Sequence, residues 1–167
     1  DKGEVPEDEY VIEIGKADIK REGSDVTIVS FGKIIKEAYK AAETLAEDDI
    51  SCEIIDLRTI RPLDIDVILE SVKKTNRLVI LEESWPFGNI STEISYQVQS
   101  KAFDYLDAPI IKINTADTPA PYSPVLLKVQ VDLFNLSLKL HLNDEVFFLS
   151  YNEQTHLPFN TFSPSSF

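Results

Sequence analysis

Methionine is missing from the 167 residues, and cysteine, tryptophan and glycine are scarce at one, one and five. Without a methionine, Asp1 does not read as a natural start, and the chain is expected to be a fragment or a processed piece. The single thiol, Cys52, excludes a disulfide framework and favours a reducing compartment. Both histidines, His141 and His156, lie near the end. Residues 1–128 therefore lack the usual neutral-pH general base and any histidine-based metal site. Positive charge is also in short supply: 16 Lys and Arg face 29 Asp and Glu, a net charge of −13. That balance argues against nucleic acid, whose phosphates require a basic face. No apolar run approaches the roughly 18 residues that a membrane span needs, and nothing at the start resembles a signal peptide.

What is present is enough for one good core, since 43% of the residues are hydrophobic. Asp1 to Asp25 carry nine carboxylates against four basic residues, the pattern of a solvated lead-in, within which Tyr10 to Ile14 is a candidate edge strand. Val26 to Phe31 then reads as a buried strand, stopped by Gly32 before a stretch in which Ile34, Ala38, Ala41, Ala42 and Leu45 share one helical face. Cys52 to Leu57 restores a strand. Pro62 and Asp64 mark the start of a helix with Ile65, Ile68, Leu69 and Val72 as its apolar stripe. Leu78 to Leu81 is the third strand of this rhythm. Asn89 or Ser91 then caps a helix carrying Ile90, Ile94, Val98 and Ala102, and Pro109 to Ile113 supplies a last strand. Strands alternating with helices imply crossover connections, a mostly parallel sheet and a three-layer α/β/α domain.

Past Lys128 the pattern changes. Val129 to Leu142 alternates at the period of a strand, Asn143-Asp144 offers a turn, and Val146 to Leu149 can return as a hairpin. Six of the nine phenylalanines lie in this stretch, and the run beyond Tyr151 reads as a disordered end. The expected organisation is a lead-in over 1–25, a packed domain over 26–128 and a divergent tail over 129–167.

Candidate functional residues gather where strands end, because contacts in a sheet covered on both faces form at the loops that leave it. After Leu81 come Glu82 and Glu83, then Trp85, Phe87 and Asn89 in an aromatic loop. Adjacent strand residues face opposite ways, so the two glutamates do not form a paired-carboxylate mechanism. Either one of them meets a cofactor or a partner arginine, or both are solvated. Trp85 and Phe87 either cap the domain's own core or anchor a protein interface. Arg58 and Arg61 either grip a carboxylate or phosphate, or tie neighbouring loops through Asp56 or Asp64. Cys52, inside a strand, reads as a small buried hydrophobe, and one glycine at the Gly32 turn gives little support for a phosphate cradle.

The stretches IEIGKADIKREGSDVTIVSFG, CEIIDLRTIRPLD, VKKTNRLVILEESWPFGNISTEI, FDYLDAPIIKI and ADTPAPYSPVLL occur in an order and spacing that resembles the β subunit of the thiamine-dependent pyruvate dehydrogenase component. The resemblance covers roughly Glu4 to Lys128 and points to that subunit's C-terminal domain, of the transketolase C-terminal type. It implies a five-stranded mixed sheet with one antiparallel edge strand. It also implies that thiamine diphosphate and Mg lie between the α subunit and the β subunit's N-terminal domain, upstream of Asp1, so that no cofactor is expected on this chain alone. Implied partners are the α subunit, a second β subunit and the dihydrolipoyl acyltransferase core, with no nucleic acid and no membrane. The implied compartment is the cytoplasm in a bacterium or the mitochondrial matrix in a eukaryote. On this basis Arg58, Arg61, Glu82, Glu83, Trp85, Phe87 and Asn89 are expected at a subunit interface, with no catalytic residue in the chain. The β subunit of a branched-chain 2-oxo acid or acetoin dehydrogenase is the near alternative, and a non-catalytic interaction module is a different class of answer. Nothing after Lys128 matches, so the tail is either an extension or a shifted reading frame. The Asn135-Leu136-Ser137 sequon within it reads as accidental.

An alternating apolar hairpin without a covering layer is an aggregation hazard. An undocked tail is dispensable, so a chain ended at Lys128 should show higher soluble yield and an unchanged cooperative melt. Loss of folding on that truncation would show the tail to be docked.

Overall fold

A computed structural model describes residues 7, 9–119, 122–123 and 125. The hairpin and disordered end expected after Lys128 lie outside these residues. In chain order the elements are β1 (Asp18–Arg21), β2 (Val26–Ser30), α1 (Ile35–Ala46), β3 (Cys52–Asp56), α2 (Ile65–Thr75), β4 (Leu78–Leu81), α3 (Ile90–Ala102) and β5 (Ile111–Ile113). Short 3-10 turns precede α1 and follow α3.

The five strands form one sheet in the order β1-β3-β2-β4-β5. Strands β3, β2, β4 and β5 are parallel, as crossover helices require, and β1 alone runs antiparallel against β3. The edge strand expected at Tyr10 to Ile14 is formed instead by Asp18–Arg21. Tyr10, Val11, Ile12 and Ile14 are exposed, and the chain turns at Gly15, with φ of +83°, before it joins the sheet. Charge explains the choice of edge residues: Asp18, Lys20 and Arg21 can line an open edge that an apolar run would leave prone to pairing with other chains. The register against β3 shifts between Ile19 and Arg21, a further device of edge strands.

Side-chain alternation sorts the core into two layers. Val26, Ile28, Cys52, Ile54, Val79, Leu81 and Ile113 face the side where Ala38, Ala42 and Leu45 of α1 pack. On the opposite side Val29, Ile55, Leu78 and Ile80 meet Ile68 and Val72 of α2 together with Ile94, Val98 and Ala102 of α3. Each fully buried aliphatic side chain contributes about 1.5–3 kcal/mol of transfer free energy, so the two layers are the main source of stability. Cys52 belongs to this core. It is completely buried, and burial pushes its thiol up to about 11, which makes it a poor nucleophile at neutral pH.

Several buried hydroxyls inside the domain are matched, whereas the Asn114 side-chain amide is buried with no hydrogen-bond partner. Thr27 of β2 shares hydrogen bonds of 2.6 Å with Ser71 and with Thr75 of α2, so α2 is registered on the sheet by hydroxyls as well as by packing. Ser30 donates to the Leu81 carbonyl at 3.0 Å, tying the ends of β2 and β4. Asn76 ends α2 in the left-handed conformation at φ of +60°, its N–H donating to the Val72 carbonyl at 2.8 Å.

The opposite, amino end of the sheet is held by one buried carboxylate. Glu53 is 1% exposed, and it accepts from Lys74 of α2 and from the Gly23 N–H at 3.4 Å. Burial pushes its carboxyl up, but hydrogen bonds led by that of Lys74 outweigh burial and hold it below the ordinary range. The Glu53 hydrogen bond is in turn the largest cause of the raised Lys74 ammonium. Gly23 is required beside this pair by close approach: a Cβ there would stand 2.2 Å from the Cys52 carbonyl carbon and from the Glu53 nitrogen.

Two outcomes are expected. Gly23→Ala sets a methyl against backbone that cannot yield cheaply, so it should cost about 1–3 kcal/mol or more in urea unfolding, and an unchanged midpoint would refute the contact. The lowered Glu53 pKa adds stability above the carboxylate's unfolded pKa, and that stability is lost as pH falls through the folded value. The raised Lys74 pKa adds stability below lysine's unfolded pKa, lost as pH rises through the folded value. Unfolding free energy should therefore decline less steeply in Glu53→Gln than in the parent chain from about pH 5 to 2. Parallel declines would show that Glu53 titrates alike folded and unfolded.

Candidate interface at the carboxyl ends of the strands

Ser30 pairs in register with Asp56 on one side and Leu81 on the other, so the loops after β2, β3 and β4 leave the sheet at one end. This register brings the arginine loop after β3 and the aromatic loop after β4 to the same end of the domain.

In the arginine loop, Arg58 takes the left-handed conformation at φ of +55°, and its N–H donates to Asp56 Oδ1 at 3.1 Å. Its guanidinium reaches back to Asp18 on the edge strand, where Lys20 Nζ also sits 2.6 Å from the same carboxylate. The Lys20 hydrogen bond first, with the Lys20 and Arg58 charges after it, holds the Asp18 carboxyl below its ordinary range. Arg58 therefore ties loop to strand through Asp18. Asp64 accepts instead from the Ala17 N–H at 3.1 Å, and Thr59 Oγ1 accepts from the Gly15 N–H at 3.0 Å. These bonds stitch the lead-in to this end of the sheet. A shallow cavity of about 470 Å³ lies there, with Ile12, Ile14, Gly32 and Arg58 in its lining. Arg61 is exposed and has no partner among the described residues.

The aromatic loop begins with a division between the two glutamates. Glu83 is exposed, whereas Glu82 is only 5% exposed and is not a solvated loop carboxylate. Glu82 accepts from the Ser91 N–H at 2.8 Å and from the Ile90 N–H at 3.4 Å, placing its negative charge at the positive end of α3. Asn89 caps the same helix, its Oδ1 accepting from the Thr92 N–H at 3.0 Å and from the Ser91 hydroxyl at 2.7 Å. Its Nδ2 donates to the Trp85 carbonyl at 2.8 Å. Lys112 of β5 donates to the Pro86 carbonyl at 3.4 Å and to Thr92 Oγ1 at 2.8 Å, and the Thr115 N–H donates to the Ser84 carbonyl at 2.9 Å. Backbone oxygens of Ser84, Trp85 and Pro86 are thus held in sequence.

The side chains of this loop are left outside. Phe87 is 85% exposed and does not serve as a lid for the domain's own core, while Trp85 is half exposed. The loop thus pairs a hydrogen-bonded backbone with exposed aromatic side chains. Sequence reasoning placed Glu82 and Asn89 in the loop but missed that Glu82 is the second cap of α3. A carboxylate nine positions from the N–H it satisfies leaves no local pattern. Lys112 was missed for the same reason. Asn89 had the usual cap signature and was legible.

Among the described residues no group of three or more His, Cys, Asp or Glu side chains could hold a metal ion. No helix of the described residues is long and apolar enough to cross a membrane. Structure and site define an α/β domain that carries exposed aromatic side chains on a hydrogen-bonded loop at the carboxyl ends of its strands. The chain belongs to the transketolase C-terminal domain family, whose model matches residues 15–132. That match begins just before β1, inside the lead-in.

Among its relatives, the chain is 53% identical over 125 residues to the acetoin:2,6-dichlorophenolindophenol oxidoreductase subunit beta of Bacillus subtilis, covering 75% of this chain and 36% of that protein. It is 54% identical over 115 residues to the mitochondrial pyruvate dehydrogenase E1 component subunit beta of Dictyostelium discoideum, covering 69% and 32%. Identity to the pyruvate dehydrogenase E1 component subunit beta of Rickettsia felis is 53% over 126 residues, covering 75% and 39%. The chain spans about a third of the length of these relatives. A solved structure described as a split gene transketolase, inactive beta4 tetramer, shares the fold with a TM-score of 0.68 at 24% identity, covering 78% of this chain and 42% of that one.

The clamp on the aromatic loop is testable by hydrogen exchange. Glu82→Ala leaves the Ile90 and Ser91 N–H groups without their acceptor, a loss of about 1–3 kcal/mol. Exchange over residues 84–92 should accelerate far more than exchange in α1. Unaltered protection at Ser91 would remove Glu82 from this role.

Proposed function

We propose that the chain is the C-terminal domain of the β subunit of acetyl-transferring pyruvate dehydrogenase, and that it contributes subunit assembly to the thiamine diphosphate-dependent oxidative decarboxylation of pyruvate. The observation that carries this reading is identity of 53–54% to bacterial and mitochondrial subunits of that enzyme. The β subunit of an acetoin dehydrogenase is the second reading, supported by equal identity to the Bacillus subtilis protein. In either reading the compartment is the bacterial cytoplasm or the mitochondrial matrix.

The described residues do not gather a metal-holding set, and no step of the reaction is assigned to them. Thiamine diphosphate and its Mg are proposed to sit between the α subunit and the β subunit's other domain. What this domain supplies is contact. Trp85 and Phe87 are the proposed anchors, with Glu83 on the same loop and Arg61 on the arginine loop as exposed charges at the same end of the sheet, while Arg58, Glu82 and Asn89 hold the two loops in place. The α subunit and a second β subunit are the proposed neighbours, with the dihydrolipoyl acyltransferase core outside them.

Trp85→Ala, made in the complete β subunit, leaves every backbone bond of the loop intact. It should weaken association with the α subunit or a second β subunit by at least about 2 kcal/mol, roughly 30-fold in Kd, as read by sedimentation. Unchanged assembly of the Trp85→Ala, Phe87→Ala double variant would sink the contact role. Turnover of pyruvate but not acetoin by the assembled enzyme supports the first reading, and the reverse preference supports the second.

A further inference from the structure

We draw no further inference here: the strongest candidate, the exposed apolar lead-in of Tyr10, Val11, Ile12 and Ile14 beside the shallow cavity at the carboxyl ends of β2 and β3, has nothing in the structure to show what covers it, and the cations lining that cavity, Lys20 and Arg58, are already paired with Asp18.

Discussion

Burial of β2, β3 and β4 on both faces is the constraint from which the rest of the domain follows. Every residue of β2 and β4 is buried, and β3 is buried as far as Ile55. Strands of this kind need an apolar side chain at almost every position and a helix on each side, which forces the chain to cross over between parallel neighbours. Crossing over brings each strand back in the same direction, so all three loops emerge together. The loops carrying Arg58 and Trp85 leave the same end of the sheet because Ser30, Asp56 and Leu81 lie in one register, although 27 positions separate the two residues in sequence.

At that end the domain treats backbone and side chain oppositely. Glu82 carries the negative charge that α3 favours at its start, and its two accepted hydrogen bonds offset the cost of burying a carboxylate. Asn89 and Lys112 hold the carbonyls of Trp85 and Pro86. The Phe87 phenyl group stands in solvent and the Trp85 indole is half exposed. For the proposed assembly role the combination is favourable, because a fixed backbone around exposed aromatic area lowers the ordering cost of a binding event.

The legible parts of the fold were those written in local pattern. Val26 to Phe31, Cys52 to Leu57 and Leu78 to Leu81 are apolar runs between breakers, and the structure places a strand in each. The apolar stripe of Ala38, Ala41, Ala42 and Leu45 is the buried face of α1, and Asn89 caps α3. The edge strand was misplaced by local pattern, because Tyr10 to Ile14 is more apolar than Asp18 to Arg21. Strand formation there is decided by pairing with β3 and by the ion pairs of Asp18 with Lys20 and Arg58. Arg58 and Asp18 are 40 positions apart, and Glu82 meets a helix that starts after an intervening loop. Partners fixed by tertiary arrangement leave no periodicity to read.

Near-equal identity to subunits named for pyruvate and for acetoin bears on what constrains this domain. A surface that met substrate would be expected to separate the two enzymes, since discrimination between small substrates depends on direct contacts in the pocket. A surface that meets other subunits answers instead to shape and to aromatic anchors, and two enzymes of common architecture can share it. Cys52, the one cysteine of the chain, is buried in the core and takes no part in such a surface.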